Sequence, residues 1–155
     1  MTKNKNIKSL KKIIQGLKKQ GKKIVFTNGC FDLIHPGHIK ILKKAKESGD
    51  ILIVGLNSDK SVKTNKGKKR PLLNQKARTT ILSAIGYIDY IIIFDQKTPY
   101  GLIKKLQPDV LVKGQDWGKD QVVGRKIAKK VVQVKLAKGY STTNIINKIK
   151  RVILK

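Results

Sequence analysis

The chain has 155 residues, 36 of them Lys or Arg and 9 Asp or Glu, for a formal net charge of +27. That length fits a single domain burying roughly 70% of its unfolded surface, and Cys30, the sole cysteine, excludes an internal disulfide. No apolar run approaches the ~18 residues that span a bilayer, and the start MTKNKNIKSLKKIIQGLKK lacks the apolar core of a signal peptide, so a soluble cytoplasmic chain is expected.

Ile7, Leu10, Ile13, Ile14 and Leu17 recur at helical spacing and predict a leading amphipathic helix that Gly21 ends, so that residues 1–21 pack as a helix on a domain of residues 22–155. KIVFT reads as a strand, followed by a loop with both histidines of the chain and a helix from about Gly37 to Ser48. DILIVGLNS is a buried strand, and DKSVKTNKGKKRPLLN reads as a polar loop whose Lys-rich part, 60–70, is the most mobile. A helix over QKARTTILSAIG, the strand YIDYIIIF and a short helix after Thr98-Pro99 come next. The strand PDVLVKG, a less regular basic segment, the strand KVVQVKL and a final helix STTNIINKIKRVIL complete the chain. Strands that are continuous apolar runs alternating with helices predict an α/β fold, a Rossmann-like doubly wound parallel sheet in a single domain with a leading helix.

The charge makes a basic nucleic-acid-binding protein one reading, because such a surface attracts polyanions. Its composition speaks for a solvated lysine surface instead: only four of the basic residues are Arg, and the aromatics, 5% of the chain, are not interleaved with the basic clusters as a base-stacking platform would need. Specific nucleic-acid binding is therefore not expected.

His35 and His38 stand three positions apart around Pro36-Gly37, directly after a strand. Metal ligands, core residues and a phosphate site compete for them. Zinc needs a third ligand, and the neighbours Asp32 and Cys30 carry no recognisable zinc spacing, so no metal site is assigned. A Pro-Gly turn is an expensive place for two inert core histidines. In an open α/β sheet ligands bind beyond the carboxyl ends of the strands, and helix N-termini offer free N–H groups, so phosphate is favoured. Gly37 would let the backbone approach it, and the imidazoles would stabilise charge on a transferring phosphoryl group.

NGCFDLIHPGH at 28–38 resembles the signature of the H-x-G-H nucleotidyltransferase superfamily, Rossmann-like enzymes that join a nucleoside monophosphate to a phosphorylated acceptor and release pyrophosphate. VGLNSDKSVKTNKGKKRP at 54–71, FDQKTP at 94–99, PDVLVKGQDW at 108–117 and GYSTTNIINKIK at 139–150 are similar, within it, to the adenylyltransferase of ADP-heptose biosynthesis, which acts on D-glycero-D-manno-heptose 1-phosphate. The resemblance implies AMP transfer from ATP, with Mg²⁺ bound with ATP, in the making of a lipopolysaccharide or surface-glycan precursor. Glycerol-3-phosphate cytidylyltransferase, using CTP, is the alternative; that family carries an arginine five residues before the serine of its S-T-T helix, where this chain has Leu136. Some relatives carry the module behind a sugar kinase for which 155 residues leave no room, so a stand-alone homodimer served by a separate heptose kinase is expected.

By the same resemblance His35, His38 and Lys66 are catalytic, Lys66 matching the lysine of an L-K-G-x-x-R-P segment in which Asn65 replaces the leucine. Thr27, Asn28, Gly29, Cys30, Phe31, Asp32 and Gly37 in the histidine loop contribute to nucleotide binding, as do Arg78, Lys113, Gly114, Asp116, Ser141, Thr142 and Thr143. Lys66 alone reads as a solvated lysine or a triphosphate cover, Ser141 as a plain N-cap or a phosphate ligand, and Arg78 as a phosphate contact or a surface residue. Lys113, Gly114 and Asp116 read as a strand-ending turn or part of the nucleotide site. Asp32 would orient a histidine or a metal-bound water. Cys30 is read as a packing residue rather than a nucleophile, since the acceptor already carries an anionic oxygen.

Overall fold

Among the described residues, 3–115, 121–135 and 139–153, the computed structural model has five strands and six helices. Their order is α1 (Ile7–Lys19), β1 (Ile24–Gly29), α2 (Pro36–Lys46), β2 (Ile51–Asn57), α3 (Asp59–Lys66), α4 (Gln75–Ala84), β3 (Tyr90–Phe94), α5 (Tyr100–Leu106), β4 (Val110–Gly114), β5 (Lys130–Val134) and α6 (Thr142–Ile153). The strands form one parallel sheet in the order β3-β2-β1-β4-β5. Every strand is an apolar run because both faces are covered. Leu42 and Ala45 of α2 and Leu82 of α4 pack with Val25, Val54 and Val112 on one face; Leu10 and Ile14 of α1 and Ile103 of α5 pack with Ile24, Phe26 and Leu111 on the other.

The leading helix shows how local signals and packing combine. Asn6 caps α1 by accepting from the Ser9 N–H at 2.8 Å, Lys18 and Lys19 suit the negative pole of its last turn, and Gly21 takes φ +73° beyond it. Burial of Leu10 and Ile14 stabilises its attachment by about 1.5–3 kcal/mol each.

Two segments depart from the sequence expectation. The segment read as a polar, mobile loop begins with the helix α3: Ser58 caps it through the Ser61 N–H, Asp59 suits its positive pole, and Ser61 and Val62 are buried. Lys66 is therefore the last residue of a helix, which Gly67 ends at φ +93°. Before α1, Asn4 pairs in parallel with Ile91, with the Lys5 N–H donating to the Ile91 carbonyl and the Ile91 N–H to the Lys3 carbonyl, both at 2.9 Å. These residues extend the sheet along the outer side of β3. The basic segment between β4 and β5 packs Val122, with Ile127, against the α1–α5 face.

The strand order reverses between β1 and β4, and there the sheet opens. β1 stays paired with β2 to Gly29↔Leu56 and β4 with β5 to Gly114↔Val134, but β1 and β4 pair only at Val25↔Val110 and Phe26↔Leu111. Beyond that the strands are bridged by side chains, the Thr27 hydroxyl donating to the Val112 carbonyl at 2.9 Å and Lys113 Nζ to the Asn28 carbonyl at 3.3 Å. This is the switch-point crevice where open α/β sheets receive ligands.

Candidate active site

The histidine loop leaves β1 at this crevice and ends in α2. His35 precedes the helix in an extended conformation and Pro36 opens it; no side chain caps it, whereas Asn6, Ser58 and Asn74 cap α1, α3 and α4. Its first-turn amides at His38 and Ile39 bond to the His35 carbonyl. The two imidazoles stack with centroids 3.8 Å apart and planes 24° apart, and the His38 ring also meets the Phe31 ring at 5.1 Å. Nδ1 of each histidine and Oδ1 of Asn28 are buried with no hydrogen-bond partner. Buried polar atoms are rarely left so, and all three belong to the end of β1 and the loop that leaves it, where a polar ligand would complete the bonding.

Burial pushes the His38 pKa down to about 4, helped by the charge of His35, while a bond to the Leu33 backbone acts weakly the other way. Burial lowers His35 as well. Both rings are therefore neutral at pH 7, each with one N–H to donate. Gly37 has a packing role as well: a Cβ there would stand 3.0 Å from His35 Cε1 and Nδ1, so the missing side chain seats the His35 ring. The same point lies 3.6 Å from the Tyr140 carbonyl, which brings the start of α6 beside the start of α2. Ser141 caps α6, its Oγ accepting from the Asn144 N–H at 3.0 Å, and the hydroxyls of Thr142 and Thr143 have no partner among the described residues.

Asp32 and Arg78 are bonded to neither histidine. Asp32, 1% exposed, accepts from Arg70 Nε at 2.7 Å and from the Leu72 and Leu73 N–H groups at 2.9 Å. Burial alone would raise its carboxyl, but the two amides and the Arg70 guanidinium hold it below the usual range. Its bonds go to the segment between α3 and α4 and not to a histidine, so of the two roles expected for it the orienting of an imidazole is not the one it plays. Arg78 is fully buried, which excludes the surface role. It donates to the carbonyls of Leu73 (3.0 Å), Cys30 (2.6 Å) and Asn57 (2.8 Å) and to Asp59 Oδ1 (2.7 Å), knotting together the ends of β1 and β2. Arg70, Asn57 and Asp59 were not singled out in the sequence; the G-K-K-R-P stretch held the only signal for Arg70.

Cys30 is partly buried, and burial raises its thiol against the pull of Lys66, Arg78 and Arg70, so it stays protonated. That pull also places exposed Lys66 near the carboxyl end of β1. Thr27, Asn28, Gly29, Lys113 and Gly114 line the split between β1 and β4. Asp116 lies outside the described residues. No cluster of three or more His, Cys, Asp or Glu side chains occurs among the described residues, and Asp32 and Asp59 are engaged as above. The imidazole nitrogens of the histidine loop and the hydroxyls at the start of α6 are groups that suit phosphate oxygens. A groove of about 600 Å³ at the opposite end of the strands, lined by Lys18, Lys22, Lys23, Lys129 and Lys130 among others, borders none of these residues.

The cytidylyltransferase-like family matches residues 26–150. The bifunctional protein HldE of Campylobacter concisus is 51% identical over 145 residues, 93% of this chain, and HldE of Geobacter metallireducens is 53% identical over 151 residues, 95% of this chain. The chain spans 31% of the length of each. Among solved structures, a lipopolysaccharide core biosynthesis protein of Thermoplasma volcanium superposes with a TM-score of 0.64 at 27% identity, over 76% of this chain and 99% of its own. Pantoate-beta-alanine ligase of Francisella tularensis shares the fold, with a TM-score of 0.62 at 22% identity over 100% of this chain and 80% of its own.

Proposed function

Because the chain belongs to the cytidylyltransferase-like family and is a nucleotidyltransferase, we propose that it transfers AMP from ATP to D-glycero-D-manno-heptose 1-phosphate, giving ADP-heptose and pyrophosphate. The observation that carries the reading is the pair of stacked, neutral histidines with unpartnered nitrogens at the uncapped start of α2, beside the free hydroxyls of α6. The word heptose rests on the four stretches of resemblance, and the HldE relatives, about half identical over nearly all of this chain, support it. The reaction belongs to a cytoplasmic route to a lipopolysaccharide or surface-glycan precursor, with a kinase step supplying the sugar phosphate. No helix among the described residues is long and apolar enough to cross a membrane.

The acceptor phosphate attacks the α-phosphorus in line with the departing pyrophosphate. No nucleophilic residue is required, and catalysis is positioning plus charge stabilisation. His35 and His38 donate N–H bonds to the α-phosphate and the leaving bridge oxygen. Thr142, Thr143 and the first turn of α6 hold the β- and γ-phosphates, with Lys66 across from them. Mg²⁺ enters as part of the nucleotide, held by triphosphate oxygens and water. Arg78 and Asp32 act through the loops they hold. The chain works as a homodimer, and the exposed apolar side chains of α6, Ile149, Val152 and Ile153, are the surface that supports this.

The test is pyrophosphate release with Mg²⁺, crossing ATP and CTP against both anomers of the heptose 1-phosphate and against glycerol 3-phosphate. Turnover with ATP and a heptose phosphate alone is expected, falling by a factor of about 10² or more in a folded His38→Ala variant. Turnover with CTP and glycerol 3-phosphate would replace the substrate. Near-normal turnover in His38→Ala would end the mechanism.

A further inference from the structure

Phe31 has the most unusual backbone in the histidine loop. Its φ is +46°, a left-handed conformation uncommon outside glycine and held only where the surroundings impose it. They do so here on both sides: Arg78 Nη1 grips the Cys30 carbonyl before it, and the Asp32 carboxylate after it is fixed by Arg70, Leu72 and Leu73. The strained turn directs the ring inward, 4% exposed, among the apolar side chains that include Leu42.

There the ring takes part in an unbroken series of contacts. A Cβ on Gly29 would stand 3.0 Å from Phe31 Cε2; the Phe31 ring meets His38 at 5.1 Å with planes 49° apart; His38 stacks on His35 at 3.8 Å; and a Cβ on Gly37 would stand 3.0 Å from the His35 ring. Glycines thus close both ends of a three-ring row, and neither end has room for a methyl group without displacing a ring. Neither histidine Nδ1 has a partner, so beside the bond to the Leu33 backbone it is ring contacts that hold the His38 imidazole. We infer that Phe31 is a positioning residue: held in its left-handed turn by Arg78 and Asp32, it sets the position and the dry surroundings of the His38 imidazole. The inference rests on the proposed role of the histidines as charge-stabilising donors, and it departs from a direct contact between Phe31 and nucleotide.

Two readouts test it, one of them independent of substrate. NMR titration of the His38 ring in the nucleotide-free protein should show its pKa rising from about 4 toward 6.5 in Phe31→Ala, as the ring that buries it is lost, with a smaller rise in Phe31→Leu. Gly29→Ala, which keeps Phe31 and presses on its far side, should shift the His38 ring resonances although it touches neither histidine. In the pyrophosphate assay Phe31→Ala should lower kcat by on the order of 10- to 100-fold with KM for ATP nearly unchanged, and Phe31→Leu should restore part of it. A His38 pKa unaltered in folded Phe31→Ala or Phe31→Leu overturns the inference, as do an altered pKa with unaltered kcat and a loss confined to KM. Should Phe31→Ala fail to fold, Gly29→Ala decides, unmoved His38 resonances counting against the inference. A wild-type chain silent with every nucleotide and acceptor would defeat the proposed function, while the titration would still decide whether Phe31 sets His38.

Discussion

At the scale of residues, the neutral state of the histidines has a signature in stability. The folded chain holds the His38 pKa near 4 where an unfolded histidine sits near 6.5. Above 6.5 both states are unprotonated and the group contributes no pH dependence; between 6.5 and about 4 only the unfolded chain binds the proton, so stability falls as pH falls. Asp32, held below 3.8, loses its contribution at lower pH, outside that window. Urea midpoints of the wild type should therefore decline across the histidine window more steeply than those of His38→Gln. The seat of His35 gives a second expectation: Gly37→Ala should keep its circular dichroism and lower kcat about tenfold, because the new methyl displaces the ring and not the helix. The histidine pair was legible in the sequence because two rare residues flank a Pro-Gly after a strand. The left-handed turn at Phe31 was not, since nothing local in F-D-L demands it; the bonds that impose it come from residues about 40 to 50 positions away.

At the scale of elements, the segment from α3 to α4 is fixed to the end of β1 by polar bonds rather than by apolar packing. Arg78 makes four hydrogen bonds with no exposure to solvent, one of them to the Cys30 carbonyl just past β1, so Arg78→Gln leaves carbonyls at Leu73, Cys30 and Asn57 wanting donors and should cost about 3–5 kcal/mol in chemical denaturation. A cost below about 1 kcal/mol would mean that water replaces the guanidinium. The five strands were readable because each is a continuous apolar run, and the parallel order followed from their alternation with helices. α3 was not readable, because D-K-S-V-K-T-N-K contributes a single apolar side chain, Val62, and is helical through its cap and first turn, signals that also fit a polar loop. The sequence offered Arg78 as a phosphate contact or a surface residue, and neither reading shows the buried bonds it makes. Its burial depends on carbonyls at the ends of strands that only the folded sheet brings together.

At the scale of the whole molecule, 36 cationic side chains against 9 anionic ones leave most of the lysines without a partner of opposite sign. Such a field draws in anions in dilute salt and is screened over about 10 Å at 0.1 M ionic strength. For a nucleotide substrate, kcat/KM for ATP should fall as salt is added while kcat stays level; a kcat that falls in parallel would place the charge inside the chemical step. The pairing of Lys3–Lys5 with β3 bears on a different hazard. Tyr90-Ile91-Ile92-Ile93-Phe94 is uncharged, free of proline and rich in β-formers, the composition that stacks into cross-β fibrils when its backbone is bare. Three polar residues at the chain's start act as a guard rail along it. Removing residues 1–5 should leave the crevice intact yet make the protein seed fibrils, read as thioflavin T fluorescence that the full chain does not develop.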